Sequence, residues 1–464
     1  VSARGQDLVV IGAGVAGLAA AVALAGDGAK VTLLERRPFV GGRAYSYPHP
    51  ALDEVVDSQH VVLGCCTNIV ELLGQAGAAE TIRWYDELCF IEASRPGQPP
   101  RRSWMRPGAL PAPMHQAISF LGAGMLGLRD KAAIASGLMH FLRGAPRDDG
   151  ESFASWLKRT GQTELAIRHF WEPVVVGALN DVFERCSVKY AGKVFHESFL
   201  RSVEGGRLGI PARPLSEFFT PVVELAQRAG VDVRMGVSVD RLVRNADGRW
   251  RVRAGAEEFV AEAVVLAGDL RSTRRLLDDS GVSQVGPLTD KFVIAPITTV
   301  HVWYDREVVD VDHAVLLDTR IQWVFAKSRI RHWPKERGSY LELVISASWP
   351  EIELSREQIL EPALRELELF FPEVREAKLV KSGVLKEARA TFSVVPGMDV
   401  FRPQQRTAMH GLYLAGDWTA TEWPSTMEGA VRSGRLAAGE VSGSRHRFMA
   451  PELPAAGLMR WLER

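Results

Sequence analysis

The sequence predicts an α/β fold: a parallel sheet flanked by helices, joined to a discontinuous second domain of mixed sheet and helices. Three observations lead there. Near the start, two short apolar runs flank a glycine-rich turn and an Ala/Leu-rich segment of helical length. An acidic residue closes the second of those runs. Apolar runs of the same kind return at 263–267 and 412–415, with helical and alternating strand-like material between them.

Asp7 to Ile11 is short and mostly apolar, as expected of a strand buried on both faces. Gly12-Ala13-Gly14-Val15-Ala16-Gly17 follows and opens a helix read over Val15 to Ala25. Lys30 to Leu34 is the second strand, and Glu35 ends it. A lone GxGxxG is weak evidence. Between a strand and a helix, with an acid about 20 residues on, it marks a dinucleotide site. Gly12 permits the tight turn, Gly14 lets backbone approach a pyrophosphate, and Gly17 lets helix and strand pack closely. Free N–H groups at the helix start attract phosphate. Glu35 is placed to accept from ribose hydroxyls, with Arg36 beside it. Leu8 to Gly26 is uncharged and follows Arg4, a pattern that signal peptides and membrane spans share. The glycine spacing and the immediate return to a strand argue against that reading.

Val231 to Arg253 reads as two strands and, past the Asp247-Gly248 turn, a third, forming a small antiparallel layer. Ala263 to Ala267 and Leu412 to Ala415 read as buried strands, the latter followed by a helix from about Met427 to Ser442. Residues 113–142 are helical and apolar on more than one face, and Ser152 to Leu179 reads as further helix. Phe292 to Tyr304 and Tyr340 to Ser348 alternate like strands, and Ser355 with Gln358 forms a capping box. The proline-rich residues 95–113 are expected to be a connecting loop. The expected division is 1–90, 205–285 and 405–445 for a nucleotide-binding domain, 91–204 and 286–404 for a substrate-binding domain, and 446–464 for a tail.

Lys+Arg and Asp+Glu both number 56 in 464 residues. Nothing in that balance favours nucleic acid, whose phosphates call for a basic excess. Cys65, Cys66, Cys89 and Cys186 show neither CxxC nor Cys/His metal spacing. They read as buried thiols in a reducing compartment, and no metal site is expected.

Gly41-Gly42-Arg43 follows the first unit, and Leu412 to Asp417 is followed by Met427-Glu428-Gly429-Ala430-Val431 and Ser433-Gly434. Together these segments resemble the flavin amine oxidase and phytoene desaturase superfamily. The resemblance implies a Rossmann-type FAD-binding domain with FAD as the cofactor. It places Gly42 and Arg43 against the pyrophosphate, and Asp417, after Gly416, at the ribityl chain and pyrophosphate. It also places Thr426 and the backbone of Met427 at the flavin N1/O2 edge, where a helix N-terminus stabilises the negative charge of reduced flavin. Val239 matches a valine whose backbone meets the adenine. Gln59 and His60 match the stretch that passes the flavin ring.

A narrower resemblance is carried by Asp57-Ser58-Gln59-His60 with Leu63-Gly64, Trp171-Glu172-Pro173 with Ala178-Leu179-Asn180, Arg389-Ala390-Thr391-Phe392 with Pro396-Gly397, Leu414 to Thr421, and Trp423 to Ser433. These segments are similar to those of the hydroxysqualene dehydroxylases, also called squalene-associated FAD-dependent desaturases. That family usually has Asp-x-Gly-Gln-His where this chain has Asp57-Ser58-Gln59-His60, without the glycine. The resemblance implies reductive removal of the allylic hydroxyl of hydroxysqualene to give squalene for hopanoid synthesis. Such a site needs an apolar tunnel for a C30 chain and one acid. His60, Glu172 and Asp57 are the candidate acids: His60 for its place by the flavin, Glu172 for an apolar setting that would keep it protonated, and Asp57 as a third, whose nearness to the glycine loops equally suits an acid that simply holds backbone.

Residues 113–142, edged by Arg129, Lys131 and Arg143, suit a tunnel wall or a membrane interface, or form an ordinary buried helix pair. The amphipathic tail Leu458-Met459-Arg460-Trp461-Leu462 is suited to docking on protein or lipid. The expected location is cytoplasmic, with peripheral contact at the inner face of the membrane. The sequence does not identify the electron donor. Three other readings stand beside this one. A carotenoid or phytoene desaturase shares the apolar isoprenoid substrate but runs hydride toward the flavin. An amine oxidase commonly sets two aromatic residues beside the flavin, at positions matched here by Ala390 and Thr426, neither of them aromatic. A lipid carrier of this fold would bind without turnover.

Overall fold

Five strands run parallel in the order Asp232–Met235, Lys30–Glu35, Asp7–Ile11, Ala263–Leu266 and Leu412–Leu414 in the computed structural model, which describes residues 3–463. The inner strands are buried in continuous runs, Leu8 to Val10 and Ala263 to Leu266, because both faces of the sheet are covered. Only one strand separates the first strand from the last, so the two ends of the chain meet at the carboxyl ends of the sheet. Ligands of open α/β sheets bind there.

The first helix, Val15–Gly26, packs against the last long helix, Met427–Val441. A Cβ on Gly434 would overlap the carbonyl oxygen of Ala16, so glycine alone allows this approach. The first helix is apolar nearly all round because protein covers it on every side. This segment, which sequence patterning also matched to a membrane span, is a strand and a helix of the core. Among the described residues no helix is long and apolar enough to cross a membrane.

Two expectations are corrected. Asp232–Met235 is an edge strand of the parallel sheet, paired with Lys30–Glu35. The antiparallel layer consists of Arg241–Arg244, Trp250–Ala254 and Glu257–Ala261. A four-residue strand carries too short a pattern to reveal its partner. The proline-rich stretch 95–113 contains the strand Arg101–Met105, antiparallel to Leu88–Glu92. Its prolines at 96, 99, 100 and 107 bracket the strand, and the strand lies at a sheet edge, where proline neighbours are tolerated.

The second sheet has seven strands in the order Leu379–Phe392, Ile294–Tyr304, Ser339–Ile345, Trp323–Ala326, His313–Leu316, Leu88–Glu92 and Arg101–Met105. A helical layer over residues 114–200 covers part of it. Ile167–Trp171 and Phe195–Leu200 are π-helical, and they meet through Trp171 and Phe195, ring centroids 4.7 Å apart. Phe141, Phe153 and Trp156 complete a buried aromatic cluster there. The four cysteines are free and buried. Among the described residues no group of three or more His, Cys, Asp or Glu side chains is arranged to hold a metal.

Candidate functional site

Gly12 sits at φ +105°, in the region that favours glycine, and its N–H donates to Leu34 O at 2.7 Å. A Cβ on Gly17 would overlap the Gly12 carbonyl oxygen and press on Ala267. Gly14 is the N-cap of the first helix and offers no side-chain cap, so no side chain competes for the first N–H groups. Ala13, Val15 and Ala16 are buried in the same turn. Gly42 lies directly against Gly14: a Cβ on Gly42 would come within 3.1 Å of the Gly14 Cα. The result is a cradle of bare backbone at a positive helix end, the chemistry that holds phosphate.

Glu35 is buried, and its carboxylate accepts from the Ala13 N–H (2.7 Å) and the Arg37 N–H (2.9 Å). Its first task is therefore to hold the glycine turn. Each oxygen keeps a further lone pair for a ribose hydroxyl. Arg36 is exposed at the strand end. Val239 is half-buried in the loop after Asp232–Met235, outside the antiparallel layer where the sequence reading put it. That loop is tied to the same strand end by the Val237 N–H, which donates to Glu35 O at 2.9 Å.

The C-terminal arm reaches the same place. Arg43 Nη2 lies 2.5 Å from Asp417 Oδ1, and Arg43 Nη1 donates to Ala390 O at 2.8 Å. Asp417 is buried and raises the guanidinium above its ordinary range. The Ser425 hydroxyl donates to the other Asp417 oxygen, and the Gly416 N–H donates to Ser433 Oγ at 2.8 Å. Thr426 caps the last long helix, its hydroxyl accepting from the Gly429 N–H at 3.0 Å, and Met427 opens that helix. Residues 12–17, 35, 42–43, 416–417 and 426–427 thus lie together at the carboxyl ends of the parallel sheet.

Sequence reasoning missed Arg402. Its guanidinium is buried under this loop. One nitrogen donates to Asp417 O (2.9 Å), Thr419 O (2.6 Å) and Thr421 Oγ1 (2.9 Å), the other to Tyr190 Oη (2.5 Å). Glu428 was quoted only as part of a motif. It is buried and accepts from the Asn68 N–H (3.3 Å), the Ile69 N–H (2.9 Å) and Arg432 Nε (2.7 Å), fastening the start of the helix Thr67–Gln75 to the last long helix.

A second cluster anchors residues 57–60. Asp57 is buried; Lys327 Nζ lies 3.0 Å from one oxygen and Arg331 Nη2 3.1 Å from the other. The Ser46 hydroxyl (2.7 Å) and the Leu215 N–H (3.2 Å) also donate to it. Burial alone would raise this carboxyl, but Lys327 and Arg331 outweigh burial and hold it far below the usual range. A carboxylate so committed does not give up a proton, so Asp57 is removed from the candidate acids. Lys327 also contacts Glu342 Oε2 at 2.9 Å, and Glu342 Oε1 accepts from the Gln59 N–H at 2.6 Å. Glu342 is fully buried, and burial pushes its carboxyl up to about 7.

His60 sits at the end of this stretch. Its Nδ1 lies 2.8 Å from Ser58 O, so that nitrogen carries the hydrogen and Nε2 keeps a lone pair. Burial lowers its pKa and keeps it neutral. A neutral imidazole of this tautomer accepts a hydrogen bond and does not act as an acid. Glu172 is solvent-exposed, against the burial expected of it. Crowding by its neighbours and the charge of Asp318 still push its carboxyl up. It opens the helix Glu172–Leu179, about 12 Å along that helix from Asn180. Asn180 Nδ2 donates to Thr391 Oγ1 at 2.9 Å and its Oδ1 accepts from the Ala347 N–H at 2.8 Å. Thr391 adjoins Ala390, the residue that meets Arg43. Asn180 is therefore the near end of the helical wall and Glu172 the far end.

A bare-backbone cradle, a buried acid at the ribose position and an arginine–aspartate pair across the phosphate path fit FAD. Similarity to known proteins agrees. The family model described as flavin containing amine oxidoreductase matches residues 15–442. The 15-cis-phytoene desaturase, chloroplastic/chromoplastic, of Solanum lycopersicum is 28% identical over 450 residues, 93% of this chain and 77% of that protein. The zeta-carotene desaturase of Synechocystis sp. is 26% identical over 497 residues, 96% of this chain and 99% of that protein. In fold, the chain is similar to a solved oxidoreductase from Methanosarcina mazei, with a TM-score of 0.70 at 18% identity, covering 92% of this chain and 99% of that one. With the family matched over most of its length and FAD as its cofactor, this chain is a flavin-dependent oxidoreductase and belongs to the flavin containing amine oxidoreductase family.

Proposed function

We propose that this enzyme removes the allylic hydroxyl of hydroxysqualene to give squalene. The observation that carries the reading is convergence. Four of the five segments that resemble the dehydroxylases are linked by hydrogen bonds around one site, in part through Arg43. Asn180 bonds Thr391, Ala390 bonds Arg43 and Arg43 bonds Asp417, while Gln59 and His60 stand on the Glu342–Lys327–Asp57 cluster. The helical wall behind Asn180 is apolar and aromatic, suited to a long hydrocarbon chain.

When bound and reduced, FAD supplies the hydride. The hydroxyl leaves as water with one added proton, and a separate reductant restores the cofactor. Of the residues present, His60 accepts from the substrate hydroxyl through its free Nε2 and orients it. Glu172, exposed at the far end of the wall about 12 Å from Asn180, does not reach a hydroxyl held beside the cofactor, so the added proton comes from solvent. The phytoene and zeta-carotene desaturases among the relatives favour a second reading, dehydrogenation of a carotene. Product analysis separates the two. Incubating the FAD-loaded, reduced enzyme with hydroxysqualene is expected to yield squalene. Incubating the oxidised enzyme with phytoene and a quinone acceptor is expected to leave phytoene unchanged. New conjugated double bonds in phytoene, with hydroxysqualene untouched, would establish the desaturase reading instead.

A further inference from the structure

We propose that residues 106–129, together with the C-terminal helix Met459–Leu462, form a surface that docks the protein on a lipid bilayer carrying anionic headgroups. The inference rests on the reading of an apolar substrate and identifies the face that would meet the phase in which such a substrate dissolves.

Met114, Ile118 and Leu121 recur at the spacing of one helical face, and that face is bare: Ile118 is 65% exposed and Leu121 63%. Leu128, at the start of the next helix, is 84% exposed. The tail lies alongside. The Leu458 N–H donates to Ala112 O at 2.8 Å, and Gly457 packs on Pro111 and Ala112. Leu458 is exposed and Trp461 is 72% exposed. Scattered exposed apolar residues are ordinary. Here they adjoin one another on two segments that are hydrogen-bonded together.

The backbone beneath this face is held in place. The Gly108 N–H donates to His115 O at 2.6 Å, and Lys131 Nζ donates to Leu121 O at 2.7 Å. Phe120 meets Phe170 edge-on at 6.0 Å. Phe170 adjoins the helix Glu172–Leu179, whose other end bonds Thr391 beside the cofactor site. The face is thus the outer end of the same packed layer that borders the site.

Charge selects the occupant. Between Arg106 and Arg129 there is no Asp, Glu or Lys, in a chain whose acids and bases are otherwise equal in number. Arg129 is exposed at one end of the stretch and Arg460 beside Trp461; Arg106, exposed at the other end, is paired with Glu87 at 3.3 Å, so the rim's cationic character rests chiefly on Arg129 and Arg460. An apolar face rimmed by arginine, with a tryptophan at its edge, fits the boundary between acyl chains and anionic headgroups. A second copy docked on the same patch by twofold symmetry would lay arginine against arginine.

Co-sedimentation of the FAD-loaded protein with phosphatidylcholine vesicles, with and without about one-third phosphatidylglycerol, tests the proposal. The wild type is expected to pellet with the anionic vesicles and to release as salt is raised. Ile118→Glu with Leu121→Glu is expected to lower the bound fraction roughly tenfold while flavin absorbance is retained. Val400→Glu, at an exposed apolar site outside this surface, is expected to leave binding unchanged. Wild type that stays in the supernatant with both vesicle types overturns the proposal, as does undiminished binding by the double variant. A dimer that the double variant dissolves, from a wild type that ignores vesicles, assigns the face to a second copy and also overturns it. Binding is scored without substrate. Vesicle binding by a wild type that leaves hydroxysqualene unchanged therefore contradicts the functional reading alone.

Discussion

Asp57→Ala is expected to lower the unfolding free energy at pH 7 by about 3–5 kcal/mol. The carboxylate joins three parts of the chain: the turn leading to Gln59 and His60, the Lys327 and Arg331 side chains beside the second sheet, and the start of the helix at Leu215. Removing it leaves two buried cations with Glu342 alone to answer them, and an uncompensated buried charge is what makes such losses large. The pH dependence has a definite sign. Because the folded carboxyl is held below its unfolded value, its contribution is complete above the ordinary carboxylate range and is lost as pH falls. Chemical denaturation should therefore show wild type and variant far apart at pH 7 and closer together in acid. Equal midpoints at pH 7 would remove Asp57 from the anchoring role.

Arg402→Met is expected to cost about 4 kcal/mol of stability and to weaken FAD binding on the order of tenfold. One guanidinium nitrogen satisfies two backbone carbonyls and a hydroxyl in the loop 417–421, and the other meets Tyr190. The same side chain stacks over the Phe392 ring at 5.0 Å. Methionine keeps much of the apolar contact but supplies no donor, so the buried Asp417 and Thr419 carbonyls lose this partner. Asp417 is the residue that pairs with Arg43, so disorder in its loop lowers the fraction of protein ready to bind the cofactor. Thermal denaturation with and without FAD reads both effects. A variant with wild-type stability but tenfold weaker FAD binding would show that Arg402 acts only through the loop.

The parts of the site legible in the sequence are those governed by local backbone rules. Gly12, Gly14 and Gly17 are needed by a turn, a close approach and a packing contact, each of which leaves its mark within six residues. Gly42-Arg43 and Gly416-Asp417 were readable only through their resemblance to the family's motifs, not from backbone rules. The anchoring cluster was not readable. Asp57 finds Lys327 270 residues away, and Gln59 finds Glu342 283 residues away. Lys327, Glu342 and Arg402 look like ordinary surface charges in the sequence, since no periodicity marks a buried ion. The sequence could not rank the candidate acids for the same reason: whether Asp57, His60 or Glu172 holds a proton depends on partners supplied by the tertiary fold. The strand inside 95–113 was hidden because prolines flanking an edge strand resemble prolines in a loop.

The central claim is that the two ends of the chain close on one flavin. Equilibrium titration with FAD, followed by flavin absorbance for the wild type and for Asp417→Ala, tests it most directly. One FAD per chain, bound tightly by the wild type and roughly a hundredfold more weakly by the variant, is the expected result. A wild type that stays colourless, or a variant that binds FAD as well as the wild type does, would contradict it.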